Sequence, residues 1–196
     1  MKRLLSVIAA AALLAAAGCS DNKDKSSVEL DGKVYNQEFG QEAFSQLSGD
    51  IKIAGASFAL PCTLMDIGGD FSFIGFVNEN GNEKSKGVVL GYNGEPAAKV
   101  IVESEHDDSD LTDNNIISFS VNSDTALANP AVGKVSVGGI SLDDTRELVE
   151  SCLGKAARES DVGDRVLLTY ILTGTANIEF QFDKSDDKVK EITIHT

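Results

Sequence analysis

A repeat inside the chain limits what it can fold into. The segment Ile51-Lys-Ile-Ala-Gly-Ala-Ser-Phe58 lies over Val135-Ser-Val-Gly-Gly-Ile-Ser-Leu142 with every apolar position matched in type, Gly55 on Gly139 and Ser57 on Ser141. The register runs on into helical sequence, with Leu64 on Leu148 and Met65 on Val149, and both stretches end in glycine, at Gly68-Gly69 and at Gly154. Downstream, Val88 to Val102 is two apolar runs broken by Asn93-Gly94, and Val166 to Phe182 is two such runs broken by Thr173-Gly174. A last strand follows each, Ile116 to Val121 and Val189 to Ile194. Such self-similarity predicts two copies of one unit: an extended lead-in, a short helix and a three-strand meander. Two copies are too few for a solenoid, so the copies are expected to share one sheet.

Local signals fit this unit. Asp144 with Glu147 three residues on predicts an N-cap and capping box, and Leu148, Val149, Cys152 and Leu153 then form one apolar helix face. In the first copy Pro61 suits a first helical turn, with Leu60, Leu64 and Ile67 on one face and Cys62 and Met65 pointing elsewhere. Ile178, Phe180 and Phe182 alternate with Asn177, Glu179 and Gln181, as Ile117, Phe119 and Val121 do with Ser118 and Ser120. This alternation marks antiparallel strands with one buried and one wet face. Asn80-Gly81, Asn93-Gly94 and the 183–187 cluster mark turns. The expected fold is therefore α+β: two tandem helix-plus-antiparallel-meander repeats, their short helices packed on one face of the sheet.

The N-terminus carries an address. Lys2 and Arg3 precede the apolar run Leu4 to Leu14, and small residues lead to Cys19, which is the layout of a signal peptide. The apolar run is shorter than the roughly 20 residues a membrane-spanning helix needs. Leu14-Ala-Ala-Ala-Gly-Cys19 resembles the lipobox of bacterial lipoproteins. That resemblance implies a diacylglyceryl thioether on Cys19 and cleavage before it. Two acyl chains anchor stably, because each buried methylene contributes about 0.8 kcal/mol. Residues 20–27 contain no apolar side chain to bury and read as a flexible tether. The organisation read from the sequence is a signal peptide over 1–18, a tether over 19–27, an N-terminal region with the first repeat over 28–125, and the second repeat over 126–196. Ser20 after the lipidated cysteine directs such a lipoprotein to the outer membrane of a two-membrane cell, and in a one-membrane cell it sits on that membrane's outer face.

Two tandem helix-plus-meander units resemble the beta-lactamase-inhibitor-protein-like fold. The stretch Gly139 to Gly154 is similar to the helix of small outer-membrane-assembly lipoproteins with that fold, and Gly55 to Cys62 is similar to a segment of exported lipoproteins of gut-type bacteria. The resemblance implies a polar sheet face that recognises a partner, an envelope protein or a glycan. No inhibitory residue carries over.

The chain's net charge is −14, and the mature chain, lacking Lys2 and Arg3, is more acidic still. Nucleic acid needs a basic face and is excluded as a partner. Cys62 and Cys152 are compatible with a disulfide in an oxidising compartment, which the chain-entropy account makes worth about 4–5 kcal/mol, or with two independent buried thiols. His106 and His195 stand near no nucleophile motif, and no Gly-x-Ser-x-Gly, Ser-x-x-Lys or His-Glu-x-x-His occurs. A non-catalytic module without a cofactor is expected. Two alternatives stand beside it. One is a calcium-dependent module using 103–114, with Asp107, Asp108, Asp110 and Asp113 as weak ligand candidates in a stretch that lacks an EF-hand's glycine turn and terminal glutamate. The other is an enzyme with a polar cleft holding His106 or His195.

Overall fold

The computed structural model describes residues 27–78, 84–104 and 110–196. The signal segment, Cys19 and the tether up to residue 26 lie outside the described residues, as do Asn80-Gly81, His106, Asp107 and Asp108.

The chain is α+β but mostly sheet. A hairpin of β1 (Val28–Leu30) and β2 (Lys33–Tyr35) leads to helix α1 (Gln41–Ser48) and a second hairpin, β3 (Ile51–Ile53) and β4 (Ala56–Phe58). The single-turn α2 (Leu64–Ile67) opens a four-strand meander: β5 (Phe71–Asn78), β6 (Ser85–Tyr92), β7 (Glu95–Glu103) and β8 (Ile116–Asn122). Helix α3 (Ser123–Ala128) and a 3-10 turn over Pro130–Val132 then lead to a third hairpin, β9 (Ser136–Val137) and β10 (Ile140–Ser141). Helix α4 (Arg146–Leu153) precedes a second meander: β11 (Arg158–Val162), β12 (Arg165–Ile171), β13 (Asn177–Asp183) and β14 (Val189–His195).

The two meanders form one antiparallel sheet of eight strands, in the order β11-β12-β13-β14-β8-β7-β6-β5. They are joined by β14 on β8, where Thr193 faces Ser120. A smaller sheet, β10-β9-β3-β4, is likewise joined across its middle, where β3 pairs with β9 and Lys52 faces Ser136. Each meander has four strands, not the three expected. The outermost strand of each was hidden in the sequence for a different reason. All five residues of β11 are exposed, so it shows no apolar alternation. In β5, register shifts between Phe73 and Gly75 and between Phe76 and Asn78 break the alternation.

The core lies on one side of the large sheet. Val88, Leu90, Val100, Phe119, Leu168, Phe180, Ile192 and Ile194 are buried there, as are Phe44 and Leu47 of α1, Ile51, Ile53 and Phe58 of the small sheet, and Val149, Cys152 and Leu153 of α4. Rings bridge the layers: Phe58 meets Phe119 edge-on at 5.7 Å, and Phe39 meets Tyr170 at 5.4 Å. Each fully buried apolar side chain contributes about 1.5–3 kcal/mol.

Three sequence expectations are corrected. Pro61 stands before α2, after a cis Leu60–Pro61 peptide. The helix is capped by Thr63, in a reciprocal capping box with Asp66. Thr145 caps α4, its hydroxyl accepting from the Leu148 amide, while the Asp144 carboxylate accepts the Ser141 amide at 2.7 Å and so braces the preceding hairpin instead. The boundary drawn at residue 126 falls inside α3, whose cap is Asn122, the last residue of β8.

Hairpin turns fix the approach of the two layers. Ala54 and Gly55, and likewise Gly138 and Gly139, are left-handed at both central positions, the geometry of a type I′ turn. At Gly138 a side chain has no room, since a Cβ there would lie 2.5 Å from the Tyr35 hydroxyl and 2.8 Å from Leu47 Cδ2. The Tyr35 hydroxyl donates to the Gly138 carbonyl at 2.6 Å. Gly138→Ala is expected to cost about 2–4 kcal/mol, whereas Ala54→Gly at the matching turn position changes stability by less than about 1 kcal/mol. Urea unfolding of the two variants checks this.

Candidate functional site

Strand alternation sends every second side chain of β12, β13, β14, β8 and β7 to the far side of the large sheet, away from the core. Thr169, Glu179, Thr193, Ser120 and Lys99 form one cross-strand row there, each facing the next in the ladder. Beside it run Asn177, His195 and Ser118. The row is knit by side chains. The Thr193 hydroxyl donates to Ser120 Oγ at 2.8 Å, Ser120 donates to Glu191 Oε1 at 3.0 Å, and Thr169 donates to Glu179 Oε1 at 3.3 Å. Arg165 approaches Glu191 at 3.8 Å and Asp124 at 3.9 Å, pairs on the loose side for ionic contact. The face thus presents hydroxyls, carboxylates and lysine on a rigid sheet. These are groups that orient a polar partner and do not themselves form a pocket.

His195 belongs to this face. Burial pushes its pKa below the ordinary 6.5, and Glu179 pulls the other way. Ser118 faces His195 in the ladder and Glu179 stands diagonally across from it on the next strand, which invites comparison with a nucleophile, base and acid. No hydrogen bond joins the imidazole to either side chain, whereas a general base sits within about 2.6–3.2 Å of the proton it takes.

The two cysteines considered as a disulfide are not joined. Both are free and buried. Cys62 lies before α2, its backbone bridged to Ile116 of β8. Cys152 lies in the last turn of α4, its carbonyl accepting the Gln37 amide. Burial pushes the Cys62 thiol up to about 12, and burial raises Cys152 as well. Thiols so placed stay protonated and are poor nucleophiles.

In the acidic stretch 103–114, Glu103, Asp110 and Asn114 are engaged by neighbours. The Asp110 carboxylate accepts from the Thr112 amide and hydroxyl, and Glu103 Oε2 accepts from Asn115 at 3.0 Å. No group of three ligating side chains able to hold a metal occurs among the described residues, Asp110 and Asp113 included. Of the four aspartates, Asp107 and Asp108 lie outside the described residues.

An open cleft of about 1000 Å³ lies between α4 and β11, with Arg146, Glu150, Arg158, Glu159 and Leu168 in its wall. Its central cation is already occupied. Arg146 binds both oxygens of Glu159 at 2.9 Å and Glu150 through Nε at 3.0 Å. The paired Glu159 is held below the usual carboxylate range. Arg146 is thus already neutralised by its two carboxylates, and His195 is not in the cleft wall.

No helix among the described residues is long and apolar enough to cross a membrane. Searches of protein families, of curated proteins and of solved structures find no match to this chain.

The depressed His195 pKa has a signed consequence. The neutral ring's contribution to stability is complete above pH 6.5 and is lost as pH falls through the lower, folded-state pKa. The imidazole is expected to titrate below 6.5 by NMR, with His106→Gln assigning the resonance. His195→Gln should remove that portion of the acid-side fall in unfolding free energy. A midpoint at or above 6.5 would contradict the burial of the ring.

Proposed function

We propose that this protein is a lipid-anchored, extracytoplasmic envelope protein whose duplicated α+β module presents the open face of its large sheet to an envelope protein or glycan. One observation carries the binding reading: among the described residues, the eight-stranded sheet is clad on one side only, with a hydrogen-bonded polar row across the other side. A sheet needs one buried face for stability, so the second is available for recognition.

The duplication is supported by the seams. Aligning Ile51 with Val135 places Lys52 on Ser136, and these residues face each other where the hairpins meet. Aligning Ile116 with Val189 places Ser120 on Thr193, and these face each other where the meanders meet. An antiparallel pair in which equivalent residues stand opposite is what a two-fold axis through both seams produces. The element order supports it too. α1, β3, β4, α2 and a meander are followed by α3, β9, β10, α4 and a meander. This is also the pattern that suggested the beta-lactamase-inhibitor-protein-like resemblance.

The anchor reading rests on Cys19 and the segment before it. Metabolic labelling with a palmitate analogue is expected to mark the wild-type chain in the membrane fraction and to leave Cys19→Ser unlabelled. Equal labelling of both would refute it. For the open face, affinity capture from detergent-solubilised envelope is expected to retain a component that Lys99→Glu, at the exposed end of the row, loses while its melting temperature stays unchanged. Identical recovery by both chains would place recognition elsewhere.

A further inference from the structure

The two outer edges of the large sheet are unlike. β11 at one end carries Arg158, Glu159 and Asp161 among five residues. A charged edge of this kind resists pairing with another strand. β5 at the other end is eight residues, Phe-Ser-Phe-Ile-Gly-Phe-Val-Asn, with no charge at all. It also exposes apolar side chains: Phe76 is 64% exposed, Ile74 40% and Val77 37%. Ile74 is seated over Gly91 of β6, where a Cβ would lie 2.7 Å from its Cγ2. The apolar edge is thus built into the packing of the last two strands. Two register shifts bend β5 between Phe73 and Asn78, but it carries no charge or proline to block pairing, and its exposed apolar side chains leave it the better template of the two edges for a further strand.

We infer that β5 is a self-association edge, pairing antiparallel with β5 of a second copy to continue the sheet across a two-fold axis. Three considerations select a second copy as the occupant. The chain's net charge of −14 opposes contact between copies over most of its surface, and β5 itself places no charge against its twin. An antiparallel pair of identical strands sets the same apolar side chains against each other, and the charged β11 edge blocks continuation, so the assembly closes as a dimer and does not grow into a filament. The third rests on the anchor proposed above. About eight residues separate Cys19 from Val28, and at no more than about 3.6 Å each they hold all copies in one thin layer at the membrane. Confinement raises their effective concentration, as linkage does.

The test places a photo-crosslinking phenylalanine analogue at Phe76 of the full chain in living cells, with the same analogue at Val162 of β11 as the control. The expected result is an adduct of twice the chain's mass from position 76 and none from 162. Ile74→Lys, which sets like charges across the paired edges, is expected to reduce that adduct by about tenfold. An adduct of any other mass, equal adducts from both positions, or no adduct overturns the inference. Palmitate-analogue labelling of the same cells reports the anchor separately: a labelled chain without the double-mass adduct defeats the edge, and a chain that is not labelled defeats the anchor.

Discussion

The pairing of β8 with β14 is the interaction on which the rest of the structure depends. Each is the last strand of its meander, and their ladder from Ser118 to Asn122 against Glu191 to His195 turns two four-strand sheets into one of eight. Without that seam each meander would have an additional bare edge, and the apolar residues Phe119, Val121, Ile192 and Ile194 would have no common surface. Sheets of this breadth twist, and the cladding layer of two hairpins and two longer helices is likewise joined at its centre, by β3 on β9.

The same seam explains why the open face is polar where it is. The residues meeting at its middle on the core side are large and apolar, while those on the far side are Ser118, Ser120, Thr193 and His195. A hydroxyl-to-hydroxyl bond between Thr193 and Ser120 spans the seam on that side. On the core side, two ion pairs brace the β1–β2 hairpin against the small sheet, with Lys33 bound to Asp50 and Lys52 to Asp31. Burial raises the Asp50 carboxyl, and the two lysines more than offset that, so its pKa ends lowered. The arrangement separates a packed, ion-braced layer that carries the N-terminal lead from a polar face on the opposite side.

Much of this was legible in the chain. Period-two alternation at 116–121 and 178–182 gave the strands and their buried sides, since those strands lie inside the sheet with one face dry. The lead-in segments at 51–58 and 135–142 were legible as extended, though not as hairpins: Ala54-Gly55 and Gly138-Gly139 looked like matched positions within one strand, and only their left-handed backbones show them to be turns. The cap of α4 was misplaced by one residue because Asp144 and Thr145 are both good caps in isolation, and the choice fell to the hairpin amide that Asp144 serves. The β1–β2 hairpin, α1 and α3 carried no signal strong enough to be singled out. The polar face was legible as residues but not as a row, because the row is assembled from five strands.

By itself, the sequence leads to the expectation of an export address with a lipid-bearing cysteine, and it determined the α+β character and which side of the inner strands is dry. These are encoded by neighbours in the chain, through charge order, side-chain size and periodicity. Tertiary structure alone decided that the meanders have four strands, that Cys62 and Cys152 remain separate thiols, that one outer strand of the sheet is charged and the other uncharged, and that Ser120 meets Thr193. Each of those depends on residues tens of positions apart being brought together, and chain-local periodicity holds no record of which strand will lie beside which.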